Sequence, residues 1–256
     1  MDTALFMGGP AFLLAFARVA GILASGPFFG GRAVPTQFKL GAALFITLLV
    51  LPGLKPGGVA LPPTLLLTCL SVFREVAIGA AVGLLAQLVF TAVQIAGELL
   101  GLQMGFSMMN LVDPSTGASV PVISEVYGLF ASLLFFALDA HHLFVRGVFA
   151  SFELAPLGVA GFQPAVGMAL AGAVGKVFVM ALELSGPVLA ALFLADVALG
   201  LVARTIPQMN VFTVGFPLKI ALGLVALGMT LPMLAGVLER QFSALEIAVR
   251  TLLRGM

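Results

Sequence analysis

The sequence predicts an all-α protein made of polytopic, membrane-type helical hairpins. Three observations carry that prediction. Hydrophobic residues make up 61% of the 256 positions, against about 45–50% for a soluble domain. Charge is sparse, with 12 basic and 11 acidic side chains and a net charge of +1. Mean hydropathy is +1.19. A soluble core of this length buries only about three quarters of the unfolded surface, too little to hide so much apolar side chain. A water-soluble enzyme and a disordered chain are therefore poor readings. A net charge near zero offers no field for nucleic acid. In hydrocarbon, backbone polar groups must be satisfied internally, which long apolar runs achieve as helices.

The elements follow from the breakers. Met1-Asp2-Thr3 lacks the basic region of a cleavable signal, so the first apolar segment is expected to be retained. Arg18 interrupts that segment, and Gly26-Pro27 ends it. Gly30-Gly31 and Pro35 make a loop. Thr36–Leu51 reads as a second helix closed by Pro52-Gly53, and Pro56-Gly57-Gly58 with Pro62-Pro63 marks the next connection. From Thr64 to Val112 no proline occurs. As one helix that stretch would reach about 70 Å, over twice the hydrocarbon thickness. Either it folds back near Arg74-Glu75 or it runs well outside the bilayer.

Ser107–Val120 reads as a loop and Pro121–Phe152 as a helix or a kinked pair. A turn at Pro156–Pro164 precedes helices at Ala165–Ser185 and Val188–Arg204. A break at Pro207 leads to a last apolar helix, Val214–Leu231. Beyond Pro232, Leu238, Phe242, Leu245, Val249 and Leu252 recur at helical spacing, opposite Glu239, Arg240, Glu246, Arg250 and Arg254. Residues 233–256 thus form an amphipathic helix, suited either to a partner groove or to packing on its own bundle. With no linker or low-complexity tract, residues 1–256 read as one domain.

Charge-free runs of about 18 residues or more, enough to span a bilayer, are Pro56–Phe73, Val76–Gly97, Leu154–Gly175 and Ile220–Leu238. Elsewhere Arg18, Glu98, Glu183, Asp196 and Arg204 punctuate apolar helices. A charge at bilayer depth costs about 2.5–3.5 kcal/mol on insertion scales. Two readings fit. These groups are paired within a transporter-like bundle, or their helices pack against partner subunits around an aqueous path. Trp is absent and Tyr127 is the one Tyr. A monomer ringed by lipid would carry more of both at its interfaces.

Gly97, Gly101 and Gly105 fall at i, i+4, i+8, a pattern that lets helix backbones approach closely. Gly79 with Gly83, and Gly167, Ala171 and Gly175, repeat it. No catalytic constellation, cofactor motif or metal set emerges. His141 and His142 are adjacent and project about 100° apart on a helix, with Asp139 near and no third ligand evident. Gly175-Lys176 lacks the frame of a phosphate loop. Cys69 reads as a small hydrophobe. Gly105 to Pro114 combines Phe106 with the Met108-Met109 pair, and flexible Met side chains suit a conforming surface or plain hydrophobic filling.

Several segments occur together and in order. Arg18-Val19, Phe29-Gly30 and Pro35 precede Gln94-Ile95-Ala96-Gly97-Glu98, Gln103 to Ser107 and Asp113-Pro114. His141-His142, Ser151-Phe152 and Pro156-Leu157-Gly158 follow. Last come Arg204-Thr205-Ile206-Pro207-Gln208-Met209-Asn210-Val211-Phe212 and Gly215 to Ile220. Over nearly the whole chain this resembles the flagellar biosynthetic protein FliR family, inner-membrane export-gate subunits of type III secretion.

The resemblance implies a non-enzymatic subunit, without cofactor, in a helical hetero-oligomeric gate of the flagellar basal body. Its partners would be two smaller polytopic gate proteins and the export switch protein, and unfolded secreted proteins would pass through. It implies a channel plug at residues 106–120, with Phe106, Met108, Met109, Asn110, Asp113, Pro114 and Gly117. It also implies that Arg18, Glu98, Glu183, Asp196, Arg204, Gln208 and Asn210 serve assembly and are met by partner subunits. The competing reading is a secondary transporter for a small solute, with Arg18 and Glu98 at a midplane site.

Overall fold

The computed structural model describes residues 2–31, 34–53, 64–106, 121–158, 161, 163–206, 208 and 210–255. All regular elements among them are helices: α1 (Asp2–Ser25), α2 (Thr36–Val50) with a short 3-10 turn at Leu51–Gly53, α3 (Leu65–Met104), α4 (Val122–Ala137), α5 (Ala140–Leu154), α6 (Pro164–Thr205) and α7 (Val211–Arg254). Among the described residues, four stretches are long and apolar enough to cross a membrane: Thr36–Gly53, Leu65–Met104, Pro164–Thr205 and Thr213–Arg254. The α4–α5 pair, bent by 73°, makes a fifth if it is one span.

Three of these helices are longer than the breakers suggested. The run from Leu65 does not fold back at Arg74-Glu75. It is one helix of 40 residues, about 60 Å long. The expected pair Ala165–Ser185 and Val188–Arg204 is the single helix α6, with Pro187 inside it. The last apolar helix and the amphipathic tail are likewise one helix, α7, containing Pro217 and Pro232. Each proline removes one N–H from the ladder and crowds the carbonyl four residues back. Apolar surroundings still favour continuation, because a true break there would bare several backbone groups instead of one. The kinked pair is found as expected. Asp139, at φ 54°, turns the chain between α4 and α5.

The helices group into two compact units. The first comprises Met1–Leu88, Asp139–Val174 and Phe242–Met256; the second comprises Val89–Leu138 and Gly175–Gln241. In the first, Leu14, Val19, Ile22, Ile78, Val82 and Leu85 pack with Val148, Phe152, Leu245, Val249, Leu252 and Leu253. The α7 stripe from Phe242 to Leu252 is therefore buried against its own chain. In the second, Val93, Ala96, Leu100, Ile123, Tyr127, Met180 and Leu192 are buried. Phe90 meets Phe135 edge to face, centroids 5.6 Å apart.

Glycine sets the closest helix crossing. In the first unit α1 and α3 approach until backbone touches backbone. A Cβ on Gly79 would overlap the Arg18 carbonyl, one on Gly83 the Ile22 carbonyl, and one on Gly21 the Val76 carbonyl. The Ser25 hydroxyl crosses the same seam, 2.9 Å from the Gly21 carbonyl and 3.0 Å from that of Ala80. In the second unit Gly97 lies against the Ser124 backbone, and Gly105, at φ +92°, lies under the Phe216 ring. Gly101 is looser: a methyl added there would lie 3.8 Å from Ile123 Cβ. Gly167 and Gly175 face open space.

Candidate functional site

The largest fully buried polar side chain among the described residues is Arg18. A guanidinium carries five donors in a rigid fork, and Nε and Nη1 of this fork are hydrogen-bonded, while Nη2 is held by ion pairing alone. Nε and Nη2 each lie 2.6 Å from Glu75 Oε2. Nη1 donates to the Ser151 and Ala155 carbonyls at 2.6 and 2.7 Å. Those carbonyls sit at the C-terminal end of α5, where the dipole favours a cation; the Ser151 carbonyl also accepts the Ala155 N–H at 3.2 Å. The other carboxylate oxygen, Glu75 Oε1, accepts the Gly158 N–H at 2.9 Å. Gly158 has φ +76°, a backbone region that L side chains rarely adopt. The Phe152 ring lies under the guanidinium, 4.9 Å from Cζ, which adds a cation–π contact. Arg18 is 0% and Glu75 2% exposed, so the pair is fully desolvated.

This node ties α1, α3, the end of α5 and the Pro156–Gly158 turn into one body. The partner of Arg18 comes from within the chain, not from another subunit. Sequence alone does not single out Glu75, and leaves Arg74-Glu75 as a possible hairpin tip. One signal is present all the same: Glu75 stands in a helix with Val72, Ile78, Gly79 and Val82 on its side, the positions of a core face.

A second node lies in the other unit. Asp196 of α6 accepts from Gln103 Nε2 of α3 at 2.8 Å through Oδ2. Its Oδ1 lies 2.8 Å from Lys219 Nζ of α7. One carboxylate thus joins three helices just before α3 ends at Met104, whose side chain packs against Gly223. Asp196→Ala should loosen this junction by about 1–3 kcal/mol, the usual loss for a charge-assisted bond left half-made. Thermal unfolding of the chain in detergent micelles measures it. Asp196→Asn should lose less, because it keeps one acceptor for Gln103 or Lys219.

The remaining sequence candidates are placed as follows. Glu183, partly covered, pairs at 2.8 Å with the exposed Arg240. Arg204 is exposed in the last turn of α6. Gln208 is exposed. Asn210 caps α7, its Oδ1 accepting the Thr213 N–H at 3.3 Å, the side-chain cap a helix start requires. Glu98 is exposed on α3. Phe106 is half-buried. Met108, Met109, Asn110, Asp113, Pro114 and Gly117 lie outside the described residues. Asp139, His141 and His142 come closer than adjacency on a helix suggested, with possible ligand atoms within 4.8 Å of one another. Asp139 and His142 are 74% and 64% exposed, with 3.5 Å between carboxylate and ring.

Helices of this length and polarity, with Arg18 and Asp196 paired inside the chain and Phe, Leu and Val turned outward on α2, α3 and α6, define a polytopic helical membrane protein. Sequence comparison then places it. The chain belongs to the bacterial export proteins, family 1, whose profile matches residues 10–245. It is 37% identical over 250 residues to the flagellar biosynthetic protein FliR of Bacillus subtilis (strain 168), covering 95% of each chain. It is 33% identical over 235 residues to that of Pectobacterium carotovorum, covering 91% of this chain and 88% of the relative. Against that of Escherichia coli (strain K12) it is 32% identical over 226 residues, covering 88% and 86%. The family is one of export proteins, and the chain is not an enzyme.

Proposed function

We propose that the chain is a subunit of the bacterial flagellar protein export gate in the inner membrane. It packs with other polytopic subunits around a path for unfolded flagellar proteins. The observation that carries this reading is the end-to-end similarity to flagellar FliR proteins, over 95% of both chains for the Bacillus subtilis relative. The fold supports it. Leu44, Phe45, Leu48 and Leu49 on α2, and Phe178, Val179, Leu182, Phe193 and Leu194 on α6, face outward. Such surface needs lipid or neighbouring helices to cover it. The small-solute transporter reading is less favoured, because Arg18 is engaged by Glu75 and by the Ser151 and Ala155 carbonyls.

Pull-down of the tagged chain from native membranes tests the reading. Two smaller polytopic gate proteins and the export switch protein should co-purify. Recovery of a solitary chain that binds a small solute would sink it.

Within this function, residues 106–120 act as a plug in the resting channel. The support is chemical: apolar Phe and Met side chains such as Phe106, Met108 and Met109 can exclude water without a fixed shape, and Gly105 and Pro114 are poor helix formers. Shortening residues 106–120 should leave an ion leak in a gate that still assembles. Single-channel conductance in reconstituted bilayers checks this, and a wild-type baseline would remove the assignment.

A further inference from the structure

Most acidic groups in α3, α6 and α7 are neutralised within the chain; among the described residues, Glu98 on α3 and Glu239, beside Arg240 on the amphipathic part of α7, have no ion pair. Glu75 has Arg18, Asp196 has Lys219, Glu183 has Arg240 and Glu246 has Arg250. Glu98 has no cation among the described residues. Its direction is enforced from behind. Ala92, Val93, Ala96, Leu100 and Met104 are all 0% exposed, and Gly97 is pressed against the Ser124 backbone. Rotating α3 to bury Glu98 would break that crossing. Gln94, Glu98 and Leu102, one turn apart, therefore share an outward face, with Leu102 61% exposed.

A carboxylate on an apolar helix needs a counter-charge or water. The neighbours distinguish the two. Leu102, and the partly covered Ile95 and Leu99 on either side, make a face that is apolar but for a single amide and a single charge. Water would be served by a more continuous polar surface, whereas another apolar helix with one long basic side chain matches this one. Only a helix keeps its own backbone satisfied in such surroundings, and the apolar stem of Arg or Lys lies along a Leu while its head reaches the acid.

We propose that the Gln94–Glu98–Leu102 face of α3 seats a membrane-embedded helix of another subunit, which places an Arg or Lys opposite Glu98. This rests on the reading that the chain works within a multi-subunit gate.

The test uses the full chain in its native membranes. A benzophenone side chain in place of Glu98 should crosslink to one membrane subunit, at an apolar segment containing Arg or Lys. Glu98→Arg should reduce co-purified partner by about tenfold or more, as expected when a desolvated charge pair is turned into a clash. Glu98→Gln should reduce it less. Unchanged chain levels in the membrane show that folding is intact. If Glu98→Arg fails to accumulate, Glu98→Gln and the crosslink decide.

Crosslinking to lipid, to an exported chain, or to a segment without a cation would overturn the proposal. So would labelling of Glu98→Cys, in a Cys69→Ser background, by a charged thiol reagent in the assembled complex, since that marks water at the site. A wild-type chain recovered without partners defeats the gate reading itself. Normal wild-type co-purification with an undiminished Glu98→Arg yield defeats this site alone.

Discussion

Arg18→Ala should destabilise the chain by about 3–5 kcal/mol, the range for removing one partner of a buried ion pair. The loss has several parts. Glu75 is left as a buried carboxylate with the Gly158 N–H as its remaining donor. The Ala155 carbonyl loses its donor at the end of α5, and the Ser151 carbonyl keeps only the Ala155 N–H. The Phe152 ring loses the cation above it. Arg18→Lys should rescue little, because one ammonium cannot reproduce a fork engaged on both sides. Glu75→Gln should be similarly severe, since it leaves a guanidinium uncompensated. The double change Arg18→Met with Glu75→Leu should be milder than either single change, because no charge is then stranded. Denaturant unfolding in mixed micelles measures all four variants. A double mutant worse than the sum of the singles would show that the pair is not the unit we describe.

Gly79→Leu should be the second severe change. At this crossing the obstacle is the Arg18 carbonyl and the Ile22 amide, not the end of a flexible side chain. The helices must separate, which empties contacts around Ile22, Ile78 and Val82 and pulls on Arg18 itself. Overpacking typically costs about 1–3 kcal/mol, and a rigid backbone obstacle puts this site at the upper end or beyond. Gly79→Ala should already be measurable. Gly167→Ala on α6 is the control: nothing lies within 4 Å of the added methyl, so stability should be unchanged or improved by up to about 1 kcal/mol, the gain in helix propensity. Equal effects at the two glycines would show that the α1–α3 approach is not close.

Much of the fold was legible because it depends on local pattern. Apolar content identified membrane helices, Gly26-Pro27 and Pro52-Gly53 marked ends close to the observed ones, and spacing found the buried stripe of the C-terminal helix. Prolines misled. Pro187 and Pro232 read as ends and are interior, since an apolar environment makes stopping a helix costlier than bending it. Small-residue spacing proved ambiguous. The same i, i+4 pattern marks a tight crossing at Gly79 and Gly83 and open space at Gly167 and Gly175. Spacing says that approach is possible, not that a neighbour is there.

The candidate site divides the same way. Arg18 was found from sequence because a lone charge in an apolar run is visible locally. Its partners, Glu75 at a separation of 57 residues and Ser151 at 133, were not. Asn210, expected among the assembly groups, caps a helix, a role that depends on where α7 begins. Composition and periodicity by themselves determined that this chain is helical, belongs in a membrane and carries charges needing company. Only the tertiary structure decided which charges satisfy one another and which face of each helix is spent on its own core. Hydrophobicity is a property of each residue and adds up along the chain, whereas pairing depends on three-dimensional distance between segments far apart in sequence.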